Sequence, residues 1–199
     1  MTTTNPDHLA AHGEAHGGHV NHNLTGFIIF LCSESVIFLA FFSGYALLKL
    51  SALDWLPSGV EGLEWRTPLV NTIVLVSSSG TIMVAEHFKA KQNLLLFRAF
   101  WLLTMAMGSY FLYGQAVEWG GLQFGFTSGT FGGTFYLLTG FHGLHVATGI
   151  LLMGIMLFKS FLPDNYVGGE QGVQATSLFW HFVDVIWIIL FLLIYVWQS

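Results

Sequence analysis

A single cysteine, Cys32, is all that the 199 residues hold. No internal disulfide is available, and no thiolate pair exists for a dinuclear copper site, an iron–sulfur cluster or a zinc knuckle. Charge is also scarce. Only 9% of residues are Asp, Glu, Lys or Arg, against about 25% in soluble globular domains. Six basic and eleven acidic residues give a net charge of −5. They form no basic run able to track a phosphate backbone, which excludes nucleic acid as a partner. Residues 1–23 lack the basic start and apolar centre of a secretory signal, so no cleavage is expected, and the first helix is expected to act as its own insertion signal.

What is abundant is apolar and aromatic surface. Hydrophobic residues make up 54% of the chain, with 19 Phe and 7 Trp, a composition for which lipid is the natural solvent. The apolar stretches predict an all-α integral membrane bundle of five transmembrane helices, with spans at about 24–48, 68–86, 99–117, 131–158 and 175–197. At 1.5 Å of rise per residue, each covers or nearly covers a hydrocarbon core about 30 Å thick. The chain divides into a His-rich, disordered, cytoplasmic tail (1–23) and one five-helix domain (24–199). Asp54, Pro57, Gly59, Glu61, Glu64 and Arg66 mark the first connector. Lys89, Lys91 and Arg98 mark a short basic loop, and glycines from Gly120 to Gly133 punctuate the next connector.

Counting basic residues by side gives the expected orientation. Lys89, Lys91, Arg98 and Lys159 fall on the side of the N-terminal tail, and Lys49 and Arg66 on the other. The excess predicts a cytoplasmic N-terminus and an external C-terminus.

Ionisable groups at bilayer depth are costly unless partnered, so the few present are the candidate functional residues. Glu34 lies near the middle of the first span between Ser33 and Ser35, with Phe30, Ile37 and Phe38 one turn away. Desolvation there favours the neutral acid. Two readings stand side by side: a proton-active or headgroup-sensing carboxyl, and a structural Glu bonded to a neighbouring helix. His142 and His145 share a face of the fourth span, and His181 and Asp184 a face of the fifth. These two helices run antiparallel, so the four groups are expected to meet near mid-depth as a buried interhelical polar cluster. An Asp–His hydrogen bond would clasp the helices together; a metal or proton-relay role is the alternative.

Gly140, Gly143, Ala147 and Gly154 predict that a neighbouring backbone approaches the fourth span closely. Glu86 and Glu118 end their helices at the interface, where charge is tolerated. In the tail, His8, His12, His16, His19 and His22 would form one stripe able to hold a divalent metal if helical. Gly13, Gly17 and Gly18 argue against that helix.

Several motifs coincide with one family. They are Trp180-His181-Phe182-Val183-Asp184-Val185-Ile186-Trp187, Thr139-Gly140-Phe141-His142-Gly143-Leu144-His145-Val146 and Pro68-Leu69-Val70-Asn71-Thr72, supported by Gln115-Ala116-Val117-Glu118 and by Ser33-Glu34 with Phe41-Phe42. The chain resembles cytochrome c oxidase subunit III of haem-copper terminal oxidases, a family with quinol-oxidase relatives, over nearly everything after the tail. It looks like a shorter form without the first two of the seven helices of larger members, which form one wall of their lipid cleft. The resemblance implies a non-catalytic accessory subunit of a proton-pumping oxygen reductase, set in a bacterial-type plasma or inner membrane. Such a subunit stabilises the catalytic subunit, binds phospholipid and supports proton uptake. It implies no cofactor on this chain, with haem and copper in partner subunits I and II, and Glu34 in the position of the family's carbodiimide-reactive carboxyl.

Two alternatives are carried forward: subunit III of a quinol oxidase, and a free-standing proton-coupled or metal transporter built on Glu34, the buried histidines and the tail. Transporters commonly contain internal repeats with broken helices, and no repeat is found here. A catalytic oxidase subunit is excluded, because this histidine set cannot supply axial ligands for two haems together with a copper site.

Overall fold

The computed structural model describes residues 22–57, 60, 62–162 and 169–198. Five helices follow one another: α1 (His22–Ser51), α2 (Arg66–Ala90), α3 (Leu94–Gly121), α4 (Gly129–Lys159) and α5 (Gly169–Phe191), the last extended by a π-helical turn over Leu192–Val196. All five are long and apolar enough to cross a membrane. Most extend beyond the spans expected from hydropathy, because a helix has no reason to stop where the hydrocarbon does. Its backbone bonds continue into the headgroup region while the side chains turn polar.

The basic loop illustrates the point. Lys89 lies in α2 and Arg98 in α3, so the connector shrinks to residues 91–93. Gln92 takes a left-handed φ of 59° there, and the Asn93 side chain caps α3 by accepting from the Leu96 N–H at 3.2 Å. Arg98 does not serve the loop at all. Its guanidinium Nε donates to Ser160 Oγ at 3.0 Å and lies over the Phe161 ring, fastening the start of α3 to the end of α4.

α5 is the centre of the bundle and α1 its edge. In their most apolar stretches 56% of α5 is buried but only 11% of α1. α2 and α3 form the most extensive pair, while α5 packs on α4, α2 and α1. α2 and α5 run antiparallel along a polar seam. Trp187 Nε1 donates to Thr72 Oγ1, and Trp180 Nε1 to Ser78 Oγ, each at 2.8 Å. Both indoles thereby bury their bulk without leaving a donor unpaired.

The glycine-rich face of α4 works differently from expectation. A Cβ on Gly140 would meet the Trp119 ring at 3.3 Å, one on Gly143 would meet Leu112, and one on Gly154 would meet Met105. The glycines are thus sockets for side chains of α3, not places where backbones touch, and Ala147 is exposed. The tightest side-chain socket on α4 is Gly149, where a Cβ would come within 2.8 Å of Trp180.

Candidate functional site

The membrane-depth polar residues form two separate clusters and one isolated ring. The first cluster joins α1 to α4. His145 Nε2 and Glu34 Oε2 lie 3.3 Å apart, with His145 11% and Glu34 16% exposed. On the other edge of the ring, Nδ1 lies 2.8 Å from the Phe141 carbonyl. A carbonyl only accepts, so Nδ1 carries a hydrogen. In a neutral imidazole Nε2 is then a bare acceptor, and it faces another acceptor unless a proton lies between them. The pair is satisfied as a carboxylic acid donating to a neutral ring, or as a carboxylate receiving from an imidazolium. Either way it holds one proton and no net charge, the cheapest condition at that depth.

An aromatic collar surrounds this pair. Phe38, Phe141 and Phe179 lie 5.0, 4.7 and 6.2 Å from the His145 ring by centroid. Phe38 is fully buried and also meets Phe141 and Phe182. The collar keeps the dielectric low around the pair.

The second cluster joins α2 to α5. Ser79 Oγ donates to Asp184 Oδ2 and lies 2.9 Å from His181 Nδ1. Because the hydroxyl's one hydrogen goes to the carboxyl, the imidazole Nδ1–H is the donor to Ser79. The chain of donation runs His181 to Ser79 to Asp184. Asp184 is 3% exposed, and its Oδ1 has no partner among the described residues.

The clasp expected between a fourth-helix histidine and Asp184 is not formed. The helical rotation that turns Asp184 to α2 points it away from α4, and Ser79, noticed in the sequence only as part of a small-residue patch, takes the bond instead. His142 stands alone. It is fully buried, 5.7 Å from Phe111 and 4.9 Å from Trp187 by ring centroid, with neither nitrogen hydrogen-bonded among the described residues. His8, His12, His16 and His19 lie outside the described residues, as does the side chain of His22. Among the described residues no three His, Cys, Asp or Glu side chains gather as a metal site.

A third polar group forms near the end of α3. Glu118, read as an interfacial charge, is half-buried: it accepts from Tyr195 at 2.8 Å and from Gln115 at 3.2 Å. Gln115 and Glu118 stand three apart on α3, but nothing in the sequence brings Tyr195 to them. Replacing Tyr195 by Phe leaves one carboxyl oxygen without its donor. The bundle should lose about 1 kcal/mol of stability, measurable in a detergent denaturation series; an unchanged midpoint would mean that the contact carries no weight.

Comparison with known proteins agrees with this architecture. The family model described as cytochrome c oxidase subunit III matches residues 8–199. Among similar proteins, the cytochrome c oxidase subunit 3 of Synechocystis sp. is 41% identical over 186 residues, covering 92% of this chain and 80% of that one. The protein of the same name from Thermostichus vulcanus is 40% identical over 179 residues, 89% of each chain. That of Lumbricus terrestris is 37% identical over 180 residues, 87% of this chain and 70% of the other. A match running through all five spanning helices leaves one assignment: the chain is a multi-pass membrane protein that belongs to the cytochrome c oxidase subunit III family.

Proposed function

We propose that the chain is a non-catalytic accessory subunit of a proton-pumping haem-copper oxygen reductase of the cytochrome c oxidase type. In this reading it stabilises the catalytic subunit I, assembles beside subunit II, binds phospholipid along its apolar outer faces and supports proton uptake. The observation that carries the reading is Glu34 Oε2 meeting His145 Nε2 at 3.3 Å inside an aromatic collar. A carboxyl paired in this way can keep a proton at bilayer depth with no net charge, and exchanging that proton changes the pair by a single charge.

Haem and copper are assigned to the partner subunits, where they supply the electron transfer and oxygen chemistry. Support for this comes from the donors themselves: His145 and His181 are engaged with groups on different helices, and His142 is walled in by Phe111 and Trp187. Cytochrome c is the proposed donor to the complex, since the similar proteins are named for it. The quinol-oxidase and transporter readings are not favoured. The basic residues Lys89, Lys91, Arg98 and Lys159 support a cytoplasmic N-terminus in an energy-transducing plasma or inner membrane.

Purification in mild detergent tests the assignment. Co-elution with haem absorbance is expected; a colourless, isolated chain that transports protons or metal would defeat it. Within the complex, Glu34→Ala is expected to abolish carbodiimide labelling and to hasten inactivation during turnover while initial oxidase activity is largely kept. Complete loss of initial activity in a fully assembled complex would contradict the role given to Glu34.

A further inference from the structure

The Ser79–His181–Asp184 cluster lies near the middle of α2 and α5, and two of its polar atoms are unused among the described residues: Asp184 Oδ1, which is buried, and His181 Nε2. His181 is only partly buried, and its Nε2 makes no hydrogen bond among the described residues. Since Nδ1 donates to Ser79, Nε2 of the neutral ring is an acceptor. An open acceptor at this depth is unfavourable in hydrocarbon. Four exposed hydroxyls in the spans are satisfied within their own helix: Ser33 donates to Phe30 O, Ser77 to Ile73 O, Ser109 to Met105 O and Thr148 to Leu144 O. Those faces are compatible with lipid. The His181 face is not.

From this geometry we infer that the outer α2–α5 face is the docking surface for a transmembrane helix of another subunit, and that this helix presents a hydrogen-bond donor to His181 Nε2. The inference rests on the chain being a subunit of a larger complex. The donor is an indole N–H, a hydroxyl, an amide or a protonated carboxyl. A phospholipid cannot take its place, because acyl chains carry no donor and headgroups lie about 15 Å away from mid-depth. The surroundings suit a helix. Leu178 and Val185, exposed on the same side of α5 as His181, supply apolar contact. On the outward side of α2, a Cβ placed on Gly80 would find nothing within 4 Å among the described residues, so an incoming backbone can approach that helix closely.

The test uses the intact oxidase complex. A photoreactive benzophenone side chain is placed at Val185 and, as the lipid-facing reference, at Leu151 on the outer side of α4, which is 64% exposed. Adducts with another oxidase subunit are expected severalfold more often from Val185 than from Leu151. Equal or lower yield from Val185, in complexes that retain haem absorbance, overturns the docking surface. Failure to co-purify with haem at all would instead remove the subunit reading itself. His181→Phe keeps an aromatic ring, removes the Nε2 acceptor together with the Nδ1 donor to Ser79, and should weaken retention of the chain roughly threefold on detergent dilution. Unchanged retention would refute the hydrogen bond to the partner helix.

Discussion

Trp180→Ala is expected to cost on the order of 3 kcal/mol, the lower end of what a buried tryptophan truncation costs. The lower end applies because lipid tails are as apolar as the vacated site, so the loss comes from van der Waals contact and not from transfer out of water. The ring is fully buried at the meeting of α2, α3, α4 and α5, stacked into hollows left by Gly108 and Gly149, with its N–H bonded to Ser78. No neighbouring helix can collapse into the space without moving several others. Trp180→Phe should fall between the two, losing about 1 kcal/mol for the hydrogen bond plus part of the contact. Trp65→Ala, at a residue 50% exposed, is the control and should shift little. Denaturation of the purified complex followed by near-UV circular dichroism reads all three. Equal midpoints for Trp180→Ala and Trp65→Ala would show that α5 is not organised around this ring.

Filling the same contact from the other side should also be damaging. A Cβ on Gly149 would sit 2.8 Å from Trp180 Cε3, 2.9 Å from Cζ3 and 3.4 Å from Phe179. Gly108 presents the same ring with a comparable clash. An indole wedged between two helices has no flexible end with which to yield, so overpacking of about 1–3 kcal/mol is expected for Gly149→Ala. Gly80→Ala is the counterpart: with open space around it, alanine should be neutral or gain up to about 1 kcal/mol from helix propensity in the isolated chain. If Gly149→Ala matches Gly80→Ala in the denaturation midpoint, the close fit between α4 and α5 is not a source of stability. Within the assembled complex Gly80→Ala should also weaken association, since the added methyl stands where the partner helix approaches.

The two glycines mark a boundary in what the sequence discloses. Both are glycines in long apolar helices, and composition alone cannot say that one faces an indole and the other faces outward. The same holds for the titratable groups. Glu34 and His145 were singled out because a charge at bilayer depth is costly wherever it points. Ser79 escaped notice because a serine in a membrane helix ordinarily satisfies itself on its own backbone, as Ser77 does. For Glu118, a position at the end of an apolar stretch fixes depth and not neighbours; Tyr195 reaches it from the π-helical turn that follows α5.

Depth and element type were therefore determined by the sequence on its own. Rise per residue is constant, and the hydrocarbon core admits only backbone that satisfies itself, so five apolar stretches could only be five helices with Glu34, His142, His145, His181 and Asp184 near the middle. Rotation about each helix axis and the choice of neighbour were decided by the tertiary structure. Those depend on how indoles, phenyl rings and glycines interlock across four helices at once, and it is that interlocking that turns Asp184 to Ser79, turns Glu34 to His145 and leaves one nitrogen of His181 facing outward.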